Sequence, residues 1–425
     1  MRHLPGGAQL AATALAVALV ASCGSPSTPA PPASPASSAA SGAPPSGGGA
    51  ASPSAPPPGH ELYGYVPYWE MDDTIAAHLA ATPLSTVALY SVTNTSTGAI
   101  SRSQTGYKRI AGAVGTAMIA AAHRRGTRVE LVYTSFGAAR NSAFFGRPAL
   151  QAATVGSLAA LVDSLGVDGV DVDVEDLDVA LVPAYGAFLG QLRAALTVAH
   201  PGRTVSVATT AGPNGATMAS AALAAGADRV FLMGYDYRTA DSSPGAVAPI
   251  LRADAGRSLT WSLDLYAGAG IPPGKLLLGL PLYGMAWPVA GPVIGAPATG
   301  SGSLWILRQH LDVLGNPAAV PQTDRLEAVD AYFVGSDGSL AAPNTASTAA
   351  LSAAPPGSML PTSAPSTVTW TAAYVDSPAT LAVKLGLGES RGLAGAGFWA
   401  IGYERGLPAY EDLFARFVAG GVPAS

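Results

Sequence analysis

Beyond His60 the chain repeats one pattern: a short apolar run of strand length, then an amphipathic stretch of helix length. Eight strand candidates can be read this way: Leu62–Val66 in "ELYGYVPYW", "TVALYSV" (86–92), "RVELVYT" (128–134), "VDGVDVDVE" (167–175), "RTVSVATT" (203–210), "RVFLMGYDY" (229–237), "KLLLGLPLYG" (275–284) and "GAGFWAIGYE" (395–404). The stretch "SLAALVDSLG" sets Leu158, Leu161, Val162 and Leu165 on one helical face, and Gly166 closes it; Gly126 closes the helix expected over Val114–Arg125. Pro183 stands in the first turn of "PAYGAFLGQLRAALTVA", where its missing N–H costs little. Strands that alternate with helices pair in parallel. Eight such units predict an α/β chain closed into a (β/α)8 TIM barrel over residues 60–425.

One interval breaks the rhythm. Residues 288–370 carry little helical periodicity beyond "LWILRQHLDVLG", and a small insertion after strand seven is expected there. Within it, "LAAPNTASTAALSAAPPGSMLPTSAPS" (340–366) reads as poorly ordered, and a helix around Pro378–Leu387 returns the chain to strand eight.

The first sixty residues are of another kind. Arg2 precedes an apolar run from Leu10 to Ala21 that is too short to span a hydrocarbon core of about 30 Å. It suits a secretory signal over residues 1–22, and "VASC" resembles a bacterial lipobox ending at Cys23, the single cysteine. Lipid on Cys23 is expected, with a plain cleaved signal as the alternative, so the chain is placed outside the cytoplasm, anchored to the bacterial membrane or secreted. Residues 23–59 are almost wholly Ser, Pro, Ala and Gly, a tether that cannot bury enough apolar surface to offset its ordering entropy.

With 425 residues, 49% of them hydrophobic and 12% charged, the chain can build a large core. A net charge of −5 without a long basic run argues against nucleic acid as a partner. None of the 6 histidines falls in a zinc-ligand spacing and no phosphate-cradling glycine loop is present, so no cofactor is expected, and the chain is taken as a monomer.

The strand "VDGVDVDVED" (167–176) carries the chemistry. With a period of two, Val170, Val172 and Val174 share one face and Asp171, Asp173 and Glu175 the other. In a parallel barrel the outer face lies under helices and wants valine, so the acids point inward. Asp171 is deepest, Asp173 lies roughly 6.5–7 Å above it, and Glu175 reaches the C-terminal mouth, where barrel enzymes keep their sites. Three ionised carboxylates in a dry lumen must share protons or gain donors, so their titrations couple and at least one is raised. A raised carboxyl is what general acid catalysis needs. A hard-cation site on the same acids stays open as an alternative.

"DGVDVDVE" (168–175) matches the DGxDxDxE signature of glycoside hydrolase family 18, the chitinase-like barrels, at every defined position. "TSFGA" (134–138) resembles the SxGG motif with Ala138 replacing the second glycine, and "MGYD" (233–236) the MxYD motif. "GIPPGKLLLGLPLYGMAW" (270–287) and "RGLAGAGFWAIGYE" (391–404) are similar to the segments of strands seven and eight. The resemblance spans most of residues 61–418 and implies retaining hydrolysis of a β-linked N-acetylglucosamine glycan, assisted by the substrate's own acetamido group. It implies that Glu175 is the acid and then the base, and that Asp173 orients the acetamido group with a proton shared with Asp171. Tyr235 would hold the acetamido oxygen, Trp399 would floor the sugar site, and Asp236, Tyr65 and Met233 would line it. Ser135 is expected to hydrogen-bond within the acidic cluster from outside the first contacts. Asp171 is as readily a buried proton partner as a substrate contact, and Tyr65 and Asp236 could be rim packing. Chitin, peptidoglycan and other N-acetylglucosamine glycans stay open as substrates, as does a silent sugar-binding lectin.

Overall fold

The computed structural model describes residues 60–341 and 368–421. The expected signal peptide, Cys23, the tether and residues 342–366 of the Ala/Ser/Pro stretch lie outside the described residues.

Among the described residues, eight parallel strands close a barrel in the order β1-β13-β7-β6-β5-β4-β3-β2, as the strand–helix rhythm predicts. They are β1 (Glu61–Pro67), β2 (Thr86–Val92), β3 (Arg128–Phe136), β4 (Gly169–Glu175), β5 (Thr204–Thr210), β6 (Arg229–Met233), β7 (Leu276–Pro281) and β13 (Gly395–Trp399). Three strands stop earlier than the apolar pattern suggests, among them β13, which ends at Trp399 rather than Glu404. β6 ends at Met233, which leaves Tyr235 and Asp236 on the loop above the strand, where Asp236 takes a positive φ of 58°. β7 ends at Pro281, which has no N–H to extend the ladder.

The insertion begins and ends inside a second sheet rather than at 288 and 370. That sheet has the order β10-β11-β12-β8-β9, with β8 Tyr283–Val289, β9 Ser303–Ile306, β10 Gln322–Asp324, β11 Val329–Gly335 and β12 Trp370–Val375. The chain leaves on β8 and returns on β12, which pair antiparallel from Trp370↔Val289 to Tyr374↔Met285. The two edges of the excursion thus close on each other. A buried Arg238–Glu327 fork ties the loop after β6 to this sheet, with both nitrogen–oxygen distances at 2.5 Å.

Helices cover the outside of the barrel. Pro148–Leu165 ends at Gly166, whose φ of 68° suits a residue without a side chain, and Val182–Ala199 follows β4. Val170, Val172 and Val174 are at most 2% exposed and belong to this outer core. The lumen holds a smaller cluster, Tyr63, Tyr65, Ala88, Val132, Phe231 and Leu277. That division decides where the acids of β4 point.

Candidate active site

β4 is the middle of the site. Its register sets Asp173 beside Thr134 of β3 and Ala208 of β5, and Asp171 beside Val132 and Ser206. Asp171 is 0% and Asp173 4% exposed, while Glu175 is only half-buried at the mouth. The acids therefore stand in single file in the lumen.

Asp171 receives the Tyr65 hydroxyl on Oδ2 at 2.9 Å. Oδ1 of Asp171 and Oδ1 of Asp173 are buried with no hydrogen-bond partner among the described residues. Burial is the main force raising all three carboxyls. To it are added the Glu130 charge for Asp171, and Glu175 and then Asp171 for Asp173. For Glu175 the further contributors are Asp176 and Asp236, and its carboxyl is pushed up to about 7. An acid in that range is still partly protonated at neutral pH and can surrender its proton, as a general acid must.

Tyr235 stands half-buried on the loop past β6. Burial first, then Asp173, Asp236 and Glu175, raise its phenol well above the ordinary value, so it remains a hydroxyl that can donate. Asp236 is exposed at the rim and accepts the Tyr283 hydroxyl at 2.5 Å. Trp399, half-buried at the end of β13, sits among aromatic rings, with centroids 4.7 Å from Tyr90, 5.6 Å from Tyr65 and 6.2 Å from Trp69. Met233, at the end of β6, packs against the lumen cluster.

Two expected placements change. Tyr65 is 2% exposed, so it acts on Asp171 from within the lumen rather than lining an open pocket. Ser135 does not touch the acids. It lies opposite Val174, on the outward face of β3, and donates to Asn141 Oδ1 at 2.7 Å. Asn141 in turn donates to the backbone carbonyl of Glu175 at 2.5 Å. The inward hydroxyl at this level is Thr134, one residue earlier, because side chains alternate faces along a strand.

Sequence reasoning missed several residues of the site. Tyr90, at the end of β2, has its phenol raised by burial and then by Asp173 and Glu175. Trp69 is 47% exposed beside Trp399, and its indole N–H donates to the Tyr403 hydroxyl at 3.0 Å. Both lie at or just past the C-terminal ends of barrel strands, and that position was their one available signal. Beside the acids, Tyr68, Thr93, Gln104, Thr134, Phe136 and Arg140 border a cavity of about 250 Å³.

Residues 61–404 match the family described as Glycosyl hydrolases family 18. The chain belongs to that family.

Among solved structures, the family 18 chain is similar to the spore cortex-lytic enzyme SleL of Bacillus cereus, at 16% identity and a TM-score of 0.61, covering 84% of this chain and 74% of that one. It is similar also to a family 18 chitinase of Cycas revoluta crystallised with (GlcNAc)3, at 16% identity and a TM-score of 0.66, covering 84% and 99%. At such identity the likeness is one of fold. The Medicago truncatula Nod factor hydrolase protein 1 is 28% identical over 181 residues, 42% of this chain and 39% of that protein. YdhD of Bacillus subtilis, named as a sporulation-specific glycosylase, is 29% identical over 143 residues, 33% of this chain and 32% of that protein. The chain thus aligns with between about a third and two fifths of the length of these curated relatives.

Proposed function

We propose that this family 18 chain hydrolyses glycans with a β-linked N-acetylglucosamine at the cleaved bond, such as chitin or chitooligosaccharides, with retention and with the substrate's acetamido group as nucleophile. The observation that carries this reading is the single file of acids, with a Glu175 carboxyl near 7 above a dry Asp173. Glu175 gives its proton to the departing glycosidic oxygen. The acetamido carbonyl oxygen attacks the anomeric carbon as that bond breaks, forming an oxazolinium-type ring whose positive charge Asp173 stabilises. Tyr235 holds the acetamido oxygen for attack, a gain in orientation. Glu175, now a carboxylate, takes a proton from water as the water opens the ring. Trp399 and Trp69 supply apolar faces for the sugar, and Asp236 its polar edge.

Chitooligosaccharides incubated with the purified chain should yield shorter oligomers, first as the β-anomer by proton NMR. Plain cellulose should stay intact, since it has no acetamido group. Binding without product after long incubation would instead mark a lectin.

A peptidoglycan N-acetylglucosaminidase is the second reading, and Arg140 is the feature that favours it. Ser135, Thr93 and Asn94 hold this guanidinium by Nε and Nη2 at the edge of the 250 Å³ cavity. Nη1 makes no hydrogen bond among the described residues and is free for an acidic sugar substituent. Purified peptidoglycan in a parallel incubation, with products weighed by mass spectrometry, separates the two.

The pH dependence follows from the acid. Protonated Glu175 is the active form, so kcat/KM should fall as pH rises through about 7. Asp236 is one of the charges that raises it, so Asp236→Asn should move that alkaline limb to lower pH; a limb that stays in place, or moves up, assigns it to another group.

The same proposal includes a lipid anchor at Cys23, suited by "VASC" and the Ser-, Pro-, Ala- and Gly-rich sequence after it. Cys23→Ser should release the chain from the membrane fraction, and full membrane retention of that variant would rule the anchor out.

A further inference from the structure

The lumen holds a fourth carboxyl, on a different strand. Glu130 of β3 lies opposite Gly169 of β4, two residues below the level of Asp171, or about 7 Å along the strand. It is 2% exposed and has no part in the chemistry at the upper mouth. Its oxygens collect three hydroxyl donors: Tyr63 on Oε2 at 2.7 Å, and Thr204 at 2.5 Å and Ser206 at 3.1 Å on Oε1. Burial raises the Glu130 carboxyl above the ordinary glutamate range, and the three donors work against it by favouring the charged form. Gly169 makes the arrangement possible, because a Cβ there would fall on the Thr204 hydroxyl. Below Glu130 a cavity of about 130 Å³ opens at the N-terminal mouth, bordered by Glu61, Arg128, Asp228 and Arg229.

Above Glu130 stands Asp171, whose two oxygens are unequal: Oδ2 accepts from Tyr65 while Oδ1 is buried and unpartnered, as is Oδ1 of Asp173. A proton resident on this pair satisfies groups that otherwise stay orphaned in a dry lumen. We propose that Glu130 is a positioning residue for the reaction: its negative charge, two residues below Asp171, keeps a proton on Asp171, and Asp171 lends that proton upward to Asp173. This rests on the hydrolase reading above. Charged, phenolic and hydroxyl groups from several strands surround the two acids. Glu61, Tyr63 and Tyr65 come from β1, Arg128 from β3, Asp173 from β4, Ser206 and Thr204 from β5, and Asp228 and Arg229 from the start of β6. Tyr185 lies behind β4 on the covering helix. The nearby cations belong to the lower mouth, where Arg229 is already engaged by Glu61, so Glu130 is the anion that Asp171 meets from below.

The test is the pH profile of kcat on a chitooligosaccharide for Glu130→Gln, which keeps the size and an acceptor but loses the charge. Asp171 then ionises more easily, and the acid limb should move to lower pH by about one unit, with KM little changed. Glu130→Asp, which restores the charge, should bring the limb back. A carboxylate with a purely structural role lowers kcat evenly across pH or lowers stability, and leaves the limb where it was; that result overturns the inference. Should the glutamine variant not fold, Glu130→Met removes the same charge at similar size, and an acidward move supports the inference while an unmoved limb overturns it. If the wild-type chain cuts no glycan at all, the hydrolase reading has failed, and the charge coupling is read from stability instead. Unfolding of Glu130→Gln, Asp171→Asn and the double variant at pH 5 and pH 8 should then be non-additive, more so at pH 8. Additivity at both values overturns the coupling.

Discussion

Glu175→Gln should reduce turnover of a chitooligosaccharide by about 10²–10⁴-fold, the usual worth of a positioned general acid. The loss should fall on kcat, because the amide keeps the shape and the contacts of the side chain but has no proton to give to the leaving oxygen. Stability should move the other way. The fold raises the Glu175 carboxyl to about 7, so it disfavours the anion. The contribution of this group to stability is therefore complete at acid pH and is lost as pH rises from the ordinary glutamate range through about 7. Glutamine suffers no such loss. Its melting temperature at pH 8 should equal or exceed that of the wild type, and the gap should close by pH 4. A variant that still turns over at the wild-type rate would remove Glu175 from the chemistry. An inactive variant that also melts lower at every pH would point to a folding defect instead.

Lys384→Met should cost about 3–5 kcal/mol of folding free energy, the usual result of stranding one member of a buried ion pair. Lys384 is 0% exposed on the helix Pro378–Ser390, and its ammonium meets Asp376, which is 5% exposed just past β12. Asp376 also accepts the Thr380 hydroxyl at 3.1 Å, and its backbone carbonyl takes the Tyr410 hydroxyl at 2.7 Å. The pair thus joins the returning strand of the inserted sheet to the helix that leads into β13, and hence to Trp399. Removing the lysine leaves a carboxylate in a dry site, whereas removing both charges does not. The double variant Asp376→Leu with Lys384→Met should recover most of the loss. Urea titration measures both; equal losses in the single and the double variant would show that packing, not charge, holds this joint.

The valine–aspartate alternation of β4 could be read correctly because a strand has only two faces. Once helices were expected on the outside, the acids had nowhere to go but inward. The same logic failed one strand away at Ser135. The motif "TSFGA" locates a hydroxyl near the site, but Thr134 and Ser135 are adjacent, so one of them must face out, and only pairing with β4 settles which. Tyr65 shows a related limit: the sequence places it near the sugar, and the structure buries it as the donor to Asp171. Glu130 gave no signal, since a lone glutamate in "RVELVYT" looks like a solvated edge.

By itself, then, the sequence determined the strand–helix alternation, the strand that carries the acids and the face they share, because these depend on periodicities of two and 3.6 residues along one segment. The tertiary structure decided which side chains from other strands meet those acids. Tyr65, Tyr63 and Glu130 reach them from below, and Tyr235, Tyr90 and Trp399 surround them above. Their distances to β4 are set by the register and closure of the barrel, which bring together residues far apart in the chain, and no local pattern encodes a distance across the lumen.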